Sequence, residues 1–189
     1  MSANRYVALL RGINVGGRNL ISMADLREAF EADGCREVGT YIQSGNVLFE
    51  SDSERATLED ELEAMLERRL GVPLVVAVRS HRQLRNTVHR SPKGFGEEPE
   101  LYHSDVVFLK APLSPSRAMR VVDLREGVDQ VWPGTGVLYF VRLSARRTQS
   151  KMSSIVGTPE YQLMTIRSWR TTTKLLGLLE ERQTPTVRQ

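Results

Sequence analysis

Apolar and polar positions along the first eighty residues spell out a regular order of elements. Tyr6–Leu10 is a short apolar run that reads as a buried strand and stops at Arg11 and Gly12. A polar stretch bearing glycines, Gly12 to Asn19, separates it from a helical pattern. Ser22 with Asp25 three residues later predicts the helix start, Met23, Leu26 and Phe30 fall on one face, and Gly34 supplies the stop. Two β-rich runs, Val38–Gln43 and Val47–Glu50, flank Ser44-Gly45-Asn46, the spacing of a tight hairpin. A second helix is predicted over 54–70, with Leu58, Leu62, Met65 and Leu66 as its apolar stripe. Gly71 and Pro73 end it, and Leu74–Val78 is a further buried strand. The order β-α-β-β-α-β is the ferredoxin-like plan, in which an antiparallel sheet carries both helices on one face.

The second half partly repeats this order. His81–His89 reads as a connecting helix and 91–100, with Pro92, Gly94, Gly96 and Pro99, as a linker. Asp105–Leu109 predicts a strand, Pro115–Leu124 a helix, and Val128–Trp132 and Val137–Val141 two strands flanking Pro133-Gly134-Thr135-Gly136. Helical signals return after Ser150 and again over 169–181, where Trp169, Thr172, Leu176 and Leu179 share a side. The reading is β-α-β-β-α with its last strand missing or replaced by the terminal helix, and no residue-level repeat accompanies it. The expected class is therefore α+β with two ferredoxin-like halves. The N-terminal subdomain spans 1–80, the connecting helix and linker 81–103, and the C-terminal subdomain 104–183. Residues 184–189 are read as a frayed tail.

Composition adds bounds rather than chemistry. A chain of 189 residues, 40% hydrophobic and 26% charged, has ordinary globular composition and fits one full-sized domain or two small ones. No apolar run approaches the roughly 18 residues of a membrane helix, and the first ten residues lack a secretory pattern, so a cytoplasmic bacterial protein is expected. The single cysteine, Cys35, excludes an internal disulfide and reads as packing. His81, His89 and His103 have no metal-ligand spacing, so no metal site is expected and no cofactor is implied. Acidic residues 59–63 read as a solvated helix surface. Charge is uneven: residues 1–100 carry 13 Arg or Lys against 16 Asp or Glu, net −3, and residues 101–189 carry 13 against 7, net +6. Between Arg142 and Lys174 seven cations, Arg146, Arg147, Lys151, Arg167 and Arg170 among them, face only Glu160. That asymmetry suits an anionic partner, or a solvated basic face in an arginine-rich chain.

Three stretches are candidates for chemistry. Gly12 to Gly17 has the spacing of a phosphate loop, but Arg18-Asn19 stands where Lys-Ser or Lys-Thr belongs, and the helix starts too late to aim into a cradle. What remains is an anion nest of backbone N–H groups flanked by Arg11 and Arg18, or a tight connection that needs glycine only for its backbone. In Tyr41-Ile42-Gln43-Ser44-Gly45-Asn46, strand alternation sends Tyr41 and Gln43 to one face and Ile42 to the other. Gln43 and Asn46 offer donors and acceptors to a ligand, or Ser44 and Asn46 satisfy their own turn. Ser44 lacks the frame of a nucleophile elbow. Arg167 to Lys174 places cations and hydroxyls around Trp169, which suits a phosphate backbone with a stacked base, or a helix capped by Ser168 and anchored by Trp169.

Residues 6–17, Tyr6-Val7-Ala8-Leu9-Leu10-Arg11-Gly12-Ile13-Asn14-Val15-Gly16-Gly17, and residues 41–49, Tyr41-Ile42-Gln43-Ser44-Gly45-Asn46-Val47-Leu48-Phe49, closely resemble the two signature blocks of the bacterial domain-of-unknown-function family 1697 (DUF1697). Met23, Leu26 and Arg27, the strand Asp105–Leu109 and the segment 169–175 also resemble that family, so the likeness spans nearly the whole chain. Two late elements depart from it. An Arg-Asn-Trp-Asn-Thr motif is here Arg167-Ser168-Trp169-Arg170-Thr171, and an Asn-Pro-Phe element is eroded around Ser91-Pro92. The resemblance implies an α+β fold with ferredoxin-like halves and brings no reaction, cofactor or catalytic residue.

The leading functional expectation is a binding protein for a phosphate-bearing ligand, nucleotide or nucleic acid, in a cleft between the halves. Arg11, Asn14, Gly16, Gly17, Gln43, Ser44 and Asn46 would form one wall and Arg167, Arg170 and Lys174 the other. Two alternatives stand beside it. An enzyme could use the same cleft, with Asn14, Gln43 and Ser44 holding substrate and Arg11 stabilising negative charge, although neither block supplies a base. An interaction protein with no small ligand would use the polar blocks only to lock loops.

Overall fold

The computed structural model describes residues 4–14, 20–53 and 55–181. The predicted frayed tail, 184–189, lies outside them. The chain divides into two compact units. Unit 1 comprises residues up to Arg85 together with those from Thr173 onward, and unit 2 comprises Asn86–Thr172.

Unit 1 contains strands β1 (Asn4–Leu10), β2 (Arg36–Tyr41), β3 (Asn46–Ser51) and β4 (Val76–Ser80), with helices α1 (Met23–Ala32) and α2 (Arg55–Leu70). The sheet order is β2-β3-β1-β4 and every neighbouring pair is antiparallel, as the ferredoxin-like plan requires. Ser22 caps α1, its Oγ accepting from the Asp25 N–H at 3.0 Å. Alternation explains why β1 is apolar from Tyr6 to Leu10. Tyr6, Ala8 and Leu10 point toward α1 and α2, where they pack with Phe30, Phe49, Leu62 and Leu66. Val7 and Leu9 point the other way, and they too are fully buried, as are Leu48 and Ala77 beside them. Both faces of the sheet are covered, which is the condition for an uninterrupted apolar strand.

The acidic stretch of α2 is not merely solvated. Glu59 and Glu63 accept hydrogen bonds from the backbone N–H groups of Val78 and Val76, both at 2.8 Å. These are alternate residues of edge strand β4, so the carboxylates satisfy donors that the sheet leaves unpaired. Glu59 is itself buried, 3.5 Å from the buried Arg79 guanidinium.

Unit 2 has the same topology with a different helical layer. Its strands are β5 (Tyr102–Leu109), β6 (Asp129–Gly134), β7 (Val137–Leu143) and β8 (Met164–Ser168), in the order β6-β7-β5-β8, all antiparallel. Two expectations need correction. The fourth strand is present: β8 pairs with β5 from Leu109↔Met164 to Asp105↔Ser168. Its pattern was obscured because Thr165 and Arg167, polar types, occupy buried strand positions. The helix predicted to reach Leu124 is only α4 (Pro115–Met119). Its last bonds tighten to i→i−3, with Arg120 N–H on Arg117 and Val121 N–H on Ala118. Asp123 then bonds the N–H of Leu124 in place of a helical partner.

Between β7 and β8 the second helix is replaced by three 3₁₀ turns, Ser144–Gln149, Met152–Gly157 and Pro159–Leu163. Ser, Thr, Gly157 and Pro159 disfavour a continuous helix there. Thr158 Oγ1 donates to the Ile155 carbonyl at 2.7 Å, and Ser150 Oγ accepts from the Met152 N–H at 3.2 Å. Met152 and Ile155 still reach the core beside Phe140 and Leu138.

The two remaining helices are α3 (His81–His89) and α5 (Trp169–Glu181), each starting directly after the fourth strand of a unit. Here a residue-level repeat does exist: Val78-Arg79-Ser80-His81-Arg82 matches Ile166-Arg167-Ser168-Trp169-Arg170. In both copies the arginine Nη1 donates to the preceding carbonyl, at 2.7 and 2.9 Å, and the serine Oγ accepts an N–H three residues on, from Gln83 at 3.3 Å and Thr171 at 3.2 Å. Among the described residues no helix is long and apolar enough to cross a membrane.

Candidate functional site

The two signature blocks meet at one end of unit 1. Where β1 ends, the Leu10 N–H bonds the Gly45 carbonyl at 2.8 Å and the Arg11 N–H bonds Val75 at 2.9 Å. The chain then turns through Gly12 (φ 71°) and Asn14 (φ 53°), on either side of the buried Ile13. Asn14 holds the arrangement together. Its Nδ2 donates to the carbonyls of Ile21 and Gln43, each at 3.0 Å, while its Oδ1 accepts from the Ile21 N–H at 2.9 Å. One side chain closes the loop and ties it to the β2–β3 turn. Both amide hydrogens are thereby committed within the fold.

The turn itself is equally determined. Gly45 has φ 77°, and a Cβ there would lie 2.5 Å from Ile13 Cδ1 and 3.0 Å from Leu10 Cβ, so the close approach of the first block demands glycine. Asn46 is fully buried and its Nδ2 bonds the Tyr41 carbonyl at 2.9 Å and Ser44 Oγ at 3.1 Å. Strand alternation does not extend through the turn as expected. β2 ends at Tyr41, and Ile42 takes φ 50° with its side chain largely exposed. Gln43 is exposed and Ser44 half-buried at the tip.

Arg11, Asn14, Gln43, Ser44 and Asn46 are thus brought together. Gly16 and Gly17, with Arg18, lie outside the described residues. Arg167 stands on β8 in unit 2 and is buried, and burial pulls its guanidinium down to about 10. Arg170 and Lys174 are exposed on α5. The later part of α5 is tied to unit 1 near the start of β1, where Arg5 Nη1 donates to the Leu179 carbonyl at 3.1 Å, whereas Arg11 follows the other end of that strand.

Sequence reading passed over a second polar cluster, in unit 2. Asp105 on β5 is buried, with Arg142 Nη2 at 3.0 Å from one carboxylate oxygen and His103 Nε2 at 3.2 Å from the other. Burial raises the Asp105 pKa, and His103 and Arg142 oppose that rise. The signal was present, since His103 and Asp105 are two apart on a strand and share a face. The arrangement is a buried carboxylate held by an arginine and a partly exposed histidine. It also absorbs part of the C-terminal basic excess, as does the Lys151–Asp123 pair at 2.7 Å. Cys35 packs against the core of unit 1, and burial pushes its thiol up to about 11. Among the described residues no three His, Cys, Asp or Glu side chains converge as a metal site.

A family model described as "Protein of unknown function (DUF1697)" matches residues 3–139. The chain is similar to a solved structure, that of the conserved bacterial protein SP0830 from Streptococcus pneumoniae, at 25% identity and a TM-score of 0.82. The match covers 94% of this chain and 99% of that one. No curated protein matches the chain.

Proposed function

We propose that this chain, which belongs to the DUF1697 family, binds a phosphate-bearing ligand, a nucleotide or nucleic acid, at the end of unit 1 where its two signature blocks meet. One observation carries the reading. The loop after β1 has backbone of alternating hand, positive φ at Gly12 and Asn14 with Ile13 between, and Asn14 pins it to the turn that presents Gln43 and Ser44. Alternation of hand lets successive N–H groups converge on an anion, and Arg11 stands at the loop's entry to add charge-assisted bonds. In this reading Asn14 and Asn46 position the site, while Arg11, Gln43, Ser44 and the loop through Gly16 and Gly17 meet the ligand. The reading involves no covalent step. We place the protein in the cytoplasm, the compartment that a single, unpaired cysteine favours.

The test is calorimetry and thermal shift with ATP, inorganic pyrophosphate and a short single-stranded oligonucleotide. At least one should raise the melting temperature, since a ligand bound to the native state stabilises it by mass action. Arg11→Ala should weaken that binding roughly 10- to 100-fold, the worth of a charge-assisted bond. If none of the three binds, or if Arg11→Ala binds as tightly as the wild type, the proposal fails.

A further inference from the structure

We propose a second binding site, contained wholly in unit 2, for a neutral planar heteroaromatic ring of the nucleobase class. It is independent of the anion proposal and uses none of its residues. Across three neighbouring strands Ser104, Val141 and Gln130 stand directly opposite one another, Ser104 pairing with Val141 and Val141 with Gln130. Two residues further along the same faces come Tyr102 on β5 and Trp132 on β6, one toward each end of that row. The Pro92–Glu98 segment closes over this floor and leaves a cavity of about 220 Å³.

The roof is fixed in place. Phe95 is buried and meets the rings of Tyr139 and Trp169 edge-on, with centroids 5.2 and 5.0 Å away. Gly96 backs onto the indole of Trp169, where any Cβ would collide, so the segment passes where only glycine fits. Tyr139 in turn donates its hydroxyl to the Thr87 carbonyl at 2.6 Å. The cavity is therefore built by packing around it.

Its chemistry points to one class of occupant. Ser104 is 7% exposed, and its Oγ is buried without a hydrogen-bond partner. A buried hydroxyl is costly unless bonded, so this one is an unspent donor and acceptor in the cavity floor. Across Val141 from it, on the next strand but one, Gln130 offers a carboxamide, the donor–acceptor pair that matches the edge of a base. Tyr102 and Trp132, both half-buried, supply ring faces for stacking. At the mouth Lys93 and Glu98 cancel in charge, which favours a neutral ring over a phosphate. The volume falls below the roughly 300–1,000 Å³ of drug-sized sites, so it fits a single ring system and not a whole nucleotide.

The experiment titrates the full chain with adenine, cytosine and uracil separately, following the indole N–H resonances. The sequence has two tryptophans, so Trp132→Leu assigns both signals. The Trp132 resonance should move saturably with at least one base at millimolar concentration. Ser104→Ala, which deletes a hydroxyl that nothing in the fold uses, should fold normally and weaken that binding roughly 2- to 10-fold. Excess inorganic pyrophosphate should not displace the base, which separates this site from the anion site. The proposal is overturned if no base moves the Trp132 signal, if Trp169 alone responds, if Ser104→Ala binds as the wild type does, or if pyrophosphate competes.

Discussion

Units 1 and 2 have the same sheet and different coats. Each orders its four strands alike, and each ends its first strand with the same two bonds. Leu10 and Arg11 donate to Gly45 and Val75, and Leu109 and Lys110 donate to Gly136 and Leu163. The hairpin glycines that receive these bonds both have positive φ, 77° and 69°. Yet unit 1 covers its sheet with helices of 10 and 16 residues, and unit 2 uses a five-residue helix and three 3₁₀ turns. The helical layer has only to deliver apolar side chains to one face of the sheet, and short turns can do that where sequence forbids a helix. Features common to both units therefore belong to the fold. What unit 1 has alone, the Asn14 staple and the polar turn it holds, is where a function peculiar to that unit should be sought.

The first way to break this comparison is to cut into each coat. Phe49→Ala removes a fully buried ring that touches Tyr6 and Phe30, and should cost about 3–5 kcal/mol in denaturant unfolding. Ile155→Ala in unit 2 should cost nearer 2 kcal/mol, because the short turns around it can collapse onto the space. Equal losses would mean the 3₁₀ layer is as rigid as the helices. Next in size is Gly45→Ala, which combines a left-handed backbone with contacts of 2.5 to 3.0 Å and should cost about 2–4 kcal/mol.

Asn14→Ala removes three hydrogen bonds at the edge of the fold and should cost about 1–3 kcal/mol. Hydrogen exchange should accelerate at Ile21 and around the β2–β3 turn while unit 2 stays unchanged. An unchanged pattern in unit 1 would show that the staple does not hold the loop. The smallest effect concerns the reactivity of Cys35. With its pKa raised from 9.0 to about 11, the thiolate fraction at pH 8 falls about 100-fold; the more basic thiolate is more nucleophilic, so alkylation should be roughly 10-fold slower than for an exposed thiol. The sign is that of a group protonated longer in the folded state, so the rate should climb as pH rises from 9 toward 11. A rate equal to that of a free thiol at pH 8 would contradict the half-buried placement against the core.

How legible each part was depended on the range of its causes. The elements of unit 1 could be read because caps, periodicity and breakers are local: Ser22 with Asp25 marked α1, and the stripe from Leu58 to Leu66 marked α2. β8 could not, because Arg167 and Thr165 look like surface residues until burial is known. Charge was misread for the same reason. Glu59 and Glu63 counted as solvent-facing until β4 was seen to present Val76 and Val78 N–H groups to them, and Arg142 counted as unopposed until β5 brought Asp105 alongside. In the candidate site the polar residue types were legible, but not their division of labour, since only contact across the loop shows Asn14 spent on backbone carbonyls.

Taken alone, the order of residues determined which segments become strands and helices in the first half, and with them the ferredoxin-like class. These follow from short-range sterics and from the period at which apolar groups recur. Three-dimensional packing decided the rest: which cations are neutralised, which asparagines are structural, that Arg79 and Arg167 occupy equivalent junctions, and that Ser104 lines a cavity. Each of those depends on groups far apart in sequence meeting out of water, where an unmatched charge or hydroxyl is costly and a matched one is held in place.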